Sequence, residues 1–501
     1  MIPSIFPSSR IRTGLFLGQC AWGIGLVTLL ALLSLYDCSE ETTVYWLSMF
    51  LVGFSLWSLW SWKKATGHLL DLYSLFFIAL ILFSGGQSFL EVLGLNPKGI
   101  LDGQFPTEVV RQALVLVVVS MLMFHAGALY CASSIATRTE ELSSSESLEQ
   151  ALRMVGAIII GISIGPALYE LYHDFSLIQM MGYTGKFMQV RVVTGVDAWT
   201  LVVAPFLVPG ALLLLAGSRG RRGNIILSWL LIGVPSSIYF LLGLRNMGLR
   251  GLVALVWLHA VVIAPIKKTV LGVVMMVVLV LVPGLAAVRS ERWTGIDRIG
   301  VLLQSYDVMD NNPLVLAIRE MGGSFITIVY TTELVPQVRS FEWGMSYLSA
   351  MGTVFPNFFW DIHPSLAGGL PSYWLTKEVD PYSANTGHTL GFSFIAEAYL
   401  NFSWIGTPLF MSGIGYLLAQ FVLRVWKRPD PLRLAIQAVS ISFVLFVARG
   451  ESHLIVRPIF WECLIPYLLV MYLYNRQLTR HLHAHASDVQ SRSLSSNRRT
   501  N

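Results

Sequence analysis

Runs of apolar residues fill most of the chain, and the polar stretches between them are short except for one in the C-terminal half. A helix needs about 20 apolar residues to cross roughly 30 Å of hydrocarbon, because only a helix satisfies its own backbone there. The pattern predicts about twelve membrane-spanning helices, near residues 14–36, 43–62, 69–93, 109–131, 152–172, 197–217, 224–244, 251–266, 269–288, 397–423, 432–448 and 458–475.

The one long polar stretch, residues 289–396, separates predicted spans nine and ten. Structureless connections longer than about 15 residues are uncommon, and segments 324–335 and 341–360 are rich in aromatic and apolar residues. We therefore expect short packed or interfacial helices over one membrane face. The predicted organisation is spans one to nine (1–288), a large loop (289–396), spans ten to twelve (397–475) and a disordered polar tail (476–501).

The distribution of basic residues predicts the orientation of this all-α polytopic membrane protein. Outside the long loop, lysine and arginine concentrate in segments on the same side as the N-terminus, such as Lys63–Lys64, residues 219–222 and the C-terminal tail. Cytoplasmic loops carry an excess of Lys and Arg. Both termini are therefore predicted to be cytoplasmic and the long loop to lie outside.

Composition supports a membrane protein and excludes several other classes. Hydrophobic residues make up 54% of the chain and charged residues 13%, far from an ordinary soluble domain. The net charge of +5 does not indicate a nucleic-acid partner, because the basic residues form small clusters at the ends of apolar runs. The four cysteines show no CxxC and no spaced ligand set, so neither a metal site nor a disulfide framework is indicated.

Glu397 is the first candidate for catalysis, because it opens predicted span ten directly after an apolar run. An acid near membrane depth is costly unless it is paired or lines a wet cavity, which makes a functional role the default interpretation. A partly buried carboxylate suits a general base. His388 and His453 are alternative bases, and a structural ion pair between Glu397 and an arginine is the competing interpretation.

Five arginines are predicted at the outer face: Arg191, Arg245, Arg250, Arg449 and Arg457. The planar guanidinium group suits phosphate oxygens and could hold a lipid-linked pyrophosphate. Snorkelling to the headgroups is the alternative for any one of them. The stretch ARGESH, residues 448–453, concentrates Arg, Glu and His at the end of a predicted span and favours a functional role there.

Aromatic residues of the long loop offer faces on which sugars could stack, with Trp343, Trp360, Tyr373 and Trp374 as the main candidates. An aromatic belt at the headgroups is the alternative explanation.

The sequence SFIAEAYLNFSWIG, Ser393 to Gly406, resembles the S-x-x-a-E-x-Y-x-n-F-G-x-x-G stretch of Wzy-type O-antigen polysaccharide polymerases, also called oligosaccharide repeat unit polymerases. The span count, the late loop and the ARG at Ala448–Gly450 are similar to that family as well. Ser403 departs from the pattern, which has glycine there.

The resemblance implies a GT-C-like arrangement in the bacterial cytoplasmic membrane, with the active face outside. The substrates would be undecaprenyl-pyrophosphate-linked oligosaccharide repeat units, and the growing glycan would pass from its carrier to the sugar end of a new unit. A base would deprotonate the acceptor, and the arginines would bind the departing pyrophosphate. No cofactor is implied, and a chain-length regulator and a flippase of the same pathway would be partners beside the membrane lipids.

Three other functions compete with a polymerase. An O-antigen ligase shares the donor, but its H-N-x-x-L stretch is not matched, since Gly387-His388-Thr389 lacks the asparagine. A lipid-phosphate-sugar transferase would use acids of the first outer loop, where residues 37–41 include three. A flippase or transporter would show internal repeats and compact loops, which this sequence does not. No DxD motif occurs in the sequence, so neither a nucleotide-sugar substrate nor a divalent metal is indicated.

Overall fold

The computed structural model describes residues 7–134, 145–188, 196–267, 269, 312–355, 369–386 and 388–479. The ninth predicted span beyond residue 269 and the tail beyond residue 479 lie outside this part of the chain. Within it every regular element is a helix.

The α-helices are α1 (Ser9–Leu35), α2 (Glu40–Thr66), α3 (Leu72–Val92), α4 (Thr107–Ser134), α5 (Glu146–Met188), α6 (Val196–Val203), α7 (Leu207–Ala216), α8 (Arg222–Leu241), α9 (Arg245–Leu258), α10 (Pro313–Gly322), α11 (Ile326–Leu334), α12 (Met345–Gly352), α13 (Pro371–Val379), α14 (Pro381–Asn385), α15 (Phe394–Lys427), α16 (Pro431–Val447) and α17 (His453–Pro458). Short 3₁₀ turns connect some of them, at Ile100–Gly103, Ala204–Phe206 and Gly323–Phe325. Single π-helical turns extend α9 at His259–Ile263 and α17 at Ile459–Leu464.

Eleven helical stretches among the described residues are long and apolar enough to cross a membrane, judged by length and composition. The predicted polytopic all-helical architecture is therefore confirmed. Ten of the eleven overlap predicted spans, and the last of them extends from His453 to Thr479. The predicted span at 432–448 corresponds to α16, which is shorter than the others.

The eleventh stretch, Leu314–Leu334, falls inside the segment that the sequence assigns to the long loop. It consists of α10 and α11 joined by the 3₁₀ turn Gly323–Phe325. Its contacts lie where α3 ends and α4 begins: Arg319 donates to the Leu95 carbonyl at 2.8 Å, and the Tyr330 ring lies 4.9 Å from that of Phe105. These short helices therefore pack around one end of the bundle, which we call the loop end.

The position of α15 is set by an unusually close crossing with α4. A Cβ atom added to Gly127 of α4 would lie 2.0 Å from the Ser412 carbonyl oxygen, and one added to Gly415 of α15 would lie 1.9 Å from the Phe124 carbonyl oxygen. Only glycine at both positions lets the two backbones approach this far. The crossing anchors the helix whose first turns reach the loop end.

Candidate active site

A break inside α15 separates its first turns from the long segment below. Ser403 has φ 60° and ψ −170°, a conformation that interrupts the helix. Backbone carbonyls at such an interruption need partners other than the next helical turn. The Leu400 and Asn401 carbonyls accept hydrogen bonds from the N–H groups of Glu342 at 3.0 Å and Trp343 at 3.1 Å. The break thereby docks the segment before α12 onto the beginning of α15.

A cavity of about 600 Å³ lies at this junction. Its walls come from residues 339–342, α12, the segment that leads into α13, the first turn of α15 and residues 451–453. Its charged and polar lining side chains include Arg339, Glu342, Ser346, Glu397, Glu451, Ser452 and His453. Its volume is in the range of small-molecule sites.

Glu397 lies in the wall of the cavity and is only 1% exposed. Its Oε1 accepts from the hydroxyl groups of Ser346 at 2.8 Å and Ser452 at 2.7 Å. Its Oε2 accepts from the backbone N–H of Ser452 at 2.7 Å. Since an ionised carboxylate offers about four acceptor sites, one site on Oε2 is left after these three bonds, as far as the described residues show. Three donors aimed at one carboxyl group suit its ionised form.

Asn401 is fully buried one helical turn after Glu397. Its Nδ2 donates to the Ser346 hydroxyl at 2.7 Å and to the Glu397 carbonyl at 2.8 Å. Its Oδ1 accepts from the N–H of Gly344 at 2.9 Å. Asn401 thus connects α15 to the segment that carries Ser346.

Glu451 is the second buried carboxylate of the cavity. Its Oε1 accepts from the Ser372 hydroxyl at 2.5 Å and lies 3.5 Å from Nδ1 of His453, while its Oε2 accepts from the Ser372 N–H at 3.1 Å. Burial raises the pKa of Glu451 above the ordinary value, and the hydrogen bonds from Ser372 oppose this. The positive charge of Arg339 lowers the pKa of Glu451. The negative charge of Glu342 raises it.

The raised pKa of Glu451 predicts a pH dependence of stability. When the pKa of a group is higher in the folded than in the unfolded chain, the group stabilises the fold at pH values below its pKa in the unfolded chain. This stabilisation is lost as the pH rises through its pKa in the folded chain. Glutamine cannot titrate. We expect the melting temperature of Glu451→Gln minus that of the native chain to become more positive between about pH 4 and pH 8. Thermal unfolding in detergent measures it, and a constant difference across this range contradicts the prediction.

Arg339 is the arginine of the cavity wall, and the sequence analysis did not select it. It forms an ion pair with Glu342, and its guanidinium carbon lies 4.7 Å from the ring centroid of Trp374. This contact holds the guanidinium plane against an aromatic face. The three-residue spacing of Arg339 and Glu342 is the one sequence feature that could have indicated this arginine, but the same spacing is typical of ordinary surface ion pairs.

Of the three predicted bases, the structure brings two to the cavity. Glu397 and His453 line it. His388 lies beside α14 instead. Its backbone N–H donates to the Ser383 carbonyl at 2.9 Å, and its ring Nδ1 lies 3.2 Å from the Thr386 hydroxyl. It is not among the residues of the cavity wall.

Three of the predicted phosphate-binding arginines have carboxylate neighbours outside the cavity. Arg245 forms a two-point ion pair with Glu320 of α10. Arg250 lies 4.0 Å from Glu462, which also interacts electrostatically with Arg457. None of these three arginines is among the cavity-lining residues. Their ion-pair neighbours are consistent with a structural role, and the phosphate contact stays a prediction.

Of the other two predicted arginines, the structure describes Arg449 but not Arg191. Arg449 is exposed at the end of α16, and its Nε would lie 4.0 Å from a Cβ added to Gly391, in the segment that leads into α15. Arg191 lies outside the described residues. Arg449 is two residues before Glu451, so it stands near the cavity without lining it.

The predicted sugar-stacking residues are spread around the site. Trp374 lies beneath Arg339, Tyr373 is exposed next to it on α13, and Trp343 is 74% exposed in the turn before α12. Trp360 lies outside the described part of the chain. Their use in sugar binding stays a prediction.

Comparison with known proteins gives one match. The family model described as O-antigen polysaccharide polymerase Wzy matches residues 23–481, which is nearly the whole chain and includes every residue of the cavity wall. Neither a curated protein nor a solved structure matches the chain.

Proposed function

Because the chain belongs to the O-antigen polysaccharide polymerase Wzy family, we propose that it joins undecaprenyl-pyrophosphate-linked oligosaccharide repeat units into a surface polysaccharide. Membership makes it a multi-pass membrane protein of the bacterial inner membrane and a polymerising glycosyltransferase-type enzyme that acts on lipid-linked oligosaccharides. The pyrophosphate carrier, the outer face and the residue roles that follow belong to the proposal.

The observation that carries the mechanism is the bonding of Glu397. Three donors favour the carboxylate form, and one acceptor site remains on Oε2 at the cavity wall. In the proposed step an acceptor sugar hydroxyl donates to that site. Glu397 takes the proton as the hydroxyl oxygen bonds to the anomeric carbon of the growing glycan, and the bond from that carbon to the pyrophosphate oxygen breaks. The leaving oxygen retains the bonding electrons.

Charge that develops on the departing pyrophosphate requires a cation close to the cavity. Arg339 lies in the cavity wall and Arg449 at its margin. We assign pyrophosphate contacts to these two before the other three predicted arginines that the structure describes, because Arg339 lines the cavity and Arg449 lies two residues before Glu451 of its wall. The guanidinium group of Arg339, which lies over the Trp374 ring, offers several N–H donors that suit phosphate oxygens.

The outer face is supported by the charge pattern of the two bundle ends. The cavity lies at the loop end, opposite the ends that carry Lys63–Lys64 and Arg221–Arg222. By the excess of basic residues in cytoplasmic loops, those ends face the cytoplasm and the cavity faces out. A lipid-linked substrate would then reach the cavity from the outer leaflet.

The test is to incubate the purified protein with a polyprenyl-pyrophosphate oligosaccharide from the native pathway and no other acceptor. We expect a ladder of glycans that differ by one repeat unit, with release of polyprenyl pyrophosphate. Transfer that needs added lipid A core would identify a ligase instead. Movement of the lipid-linked sugar across proteoliposomes without any change in its length would identify a flippase, and either result refutes the proposal.

A further inference from the structure

We propose that Asn401 is a positioning residue, which fixes the Ser346 hydroxyl toward Glu397 and holds the segment 343–346 against α15. This inference deepens the proposed function, because it explains how Glu397 is kept ready to accept a proton. Asn401 itself does not touch the reacting atoms. It acts through two neighbours, one side chain and one backbone segment.

The Ser346 hydroxyl group has a single hydrogen to donate. The Asn401 Nδ2 group can only donate, so in their 2.7 Å bond the Ser346 oxygen is the acceptor. The hydroxyl hydrogen is therefore directed to the other partner of Ser346, which is Glu397 Oε1 at 2.8 Å. Without Asn401 the hydroxyl could rotate away, and the carboxylate would lose one of its three donors.

Asn401 also holds the backbone of the cavity wall. The Asn401 backbone carbonyl accepts from the Trp343 backbone N–H, and the Asn401 side-chain Oδ1 accepts from the Gly344 N–H. Trp343 and Gly344 both have positive φ, so this turn has a specific shape that the two bonds hold. The turn ends at α12, which begins one residue before Ser346. One asparagine therefore sets both where Ser346 stands and how its hydroxyl points.

The alternative is that Asn401 only contributes a buried polar contact to the fold. Its two functions can be separated by substitution, because Oδ1 serves the Gly344 N–H and Nδ2 serves Ser346. Asn401→Asp keeps an acceptor for Gly344 but removes the donor, so the Ser346 hydroxyl would turn from Glu397 toward the new carboxylate. Asn401→Ala removes all three side-chain bonds, including the one from Nδ2 to the Glu397 backbone carbonyl.

The experiment combines two measurements on the full chain. Hydrogen exchange of the peptide that contains Gly344 reports the held turn without any substrate. Steady-state polymerisation separates kcat from KM. We expect Asn401→Asp to keep the exchange protection while kcat falls on the order of 10²-fold, with a smaller change in KM. Asn401→Ala should lose both the protection and kcat.

The matched control is Asn96→Asp, which changes an asparagine that donates to the Gln87 carbonyl at 3.0 Å at the same end of the bundle and away from the cavity. It should leave kcat unchanged. Native kcat in Asn401→Asp overturns the inference even if the chain is a polymerase. Unchanged protection in Asn401→Ala overturns it as well, and because exchange needs no substrate, that result is independent of whether the native chain forms a ladder.

Discussion

Polymer assembly should fall by about 10²- to 10⁴-fold in Glu397→Gln, which is the usual contribution of a positioned general base. Glutamine has the shape of glutamate and can fill the same space, with its amide oxygen accepting from the Ser452 N–H and its amide group donating to the Ser452 hydroxyl oxygen. The fold should therefore persist. What is lost is the basic oxygen that takes the acceptor proton. Ladder formation by the purified variant measures the effect.

Glu91→Gln is the matched control, because Glu91 also lies at the loop end and accepts from Asn96 at 3.2 Å, but it does not line the cavity. It should assemble polymer at the native rate. Native-length polymer at the native rate in Glu397→Gln would exclude Glu397 as the base. His453, the other predicted base in the cavity wall, would then be the residue to replace.

The second large effect should come from adding one methyl group where α4 crosses α15. In Gly415→Ala the new Cβ would meet the Phe124 carbonyl oxygen at 1.9 Å, and no flexible side chain is there to move aside. The two helices must separate along their shared face, at a cost of about 1–3 kcal/mol or more. We expect a lower melting temperature and reduced yield of folded protein in detergent.

Gly413 provides a control of opposite sign on the same helix. A Cβ added there meets nothing within 4 Å among the described residues. Alanine is favoured over glycine inside a helix by about 1 kcal/mol, so Gly413→Ala should raise the melting temperature slightly. Equal melting temperatures for the two variants would show that the α4–α15 crossing is looser than described.

Much of the architecture could be predicted from the sequence, because long apolar runs leave few alternatives to spanning helices. The predicted span at 43–62, for example, corresponds to Glu40–Thr66. Leu314–Leu334 was harder to recognise. Arg319 and Glu320 interrupt its apolar pattern, and each has a partner that is distant in the sequence, Leu95 and Arg245 respectively.

Of the candidate site, Glu397 could be selected because its position at the start of an apolar run is a local feature. Its partners could not. Ser346 is 51 residues away from Glu397, and Ser372 is 79 residues away from Glu451. Single serines in polar segments carry no pattern that predicts such contacts. Only tertiary structure brings these groups together.

Ser403 shows how a sequence departure acquires a structural meaning. The resemblance places glycine at this position, and the backbone there has φ 60° and ψ −170°. This region is nearly exclusive to glycine, and a residue with a side chain adopts it at a cost of about 1–3 kcal/mol. The serine therefore keeps the conformation of the family pattern at the expense of local strain. The sequence alone could not distinguish this from a continuous helix.

The helix break at Ser403 also makes the geometry around Glu397 independent of the bilayer thickness. A spanning helix tilts when its apolar length and the hydrocarbon thickness differ. The part of α15 beyond Ser403 is tied to α4 by the close crossing at Gly415, so these two helices can change tilt only together, whereas the first turns of α15 are held through Leu400 and Asn401 by the segment before α12. Lipids with shorter or longer acyl chains should therefore tilt this helix pair and leave the surroundings of Glu397 unchanged.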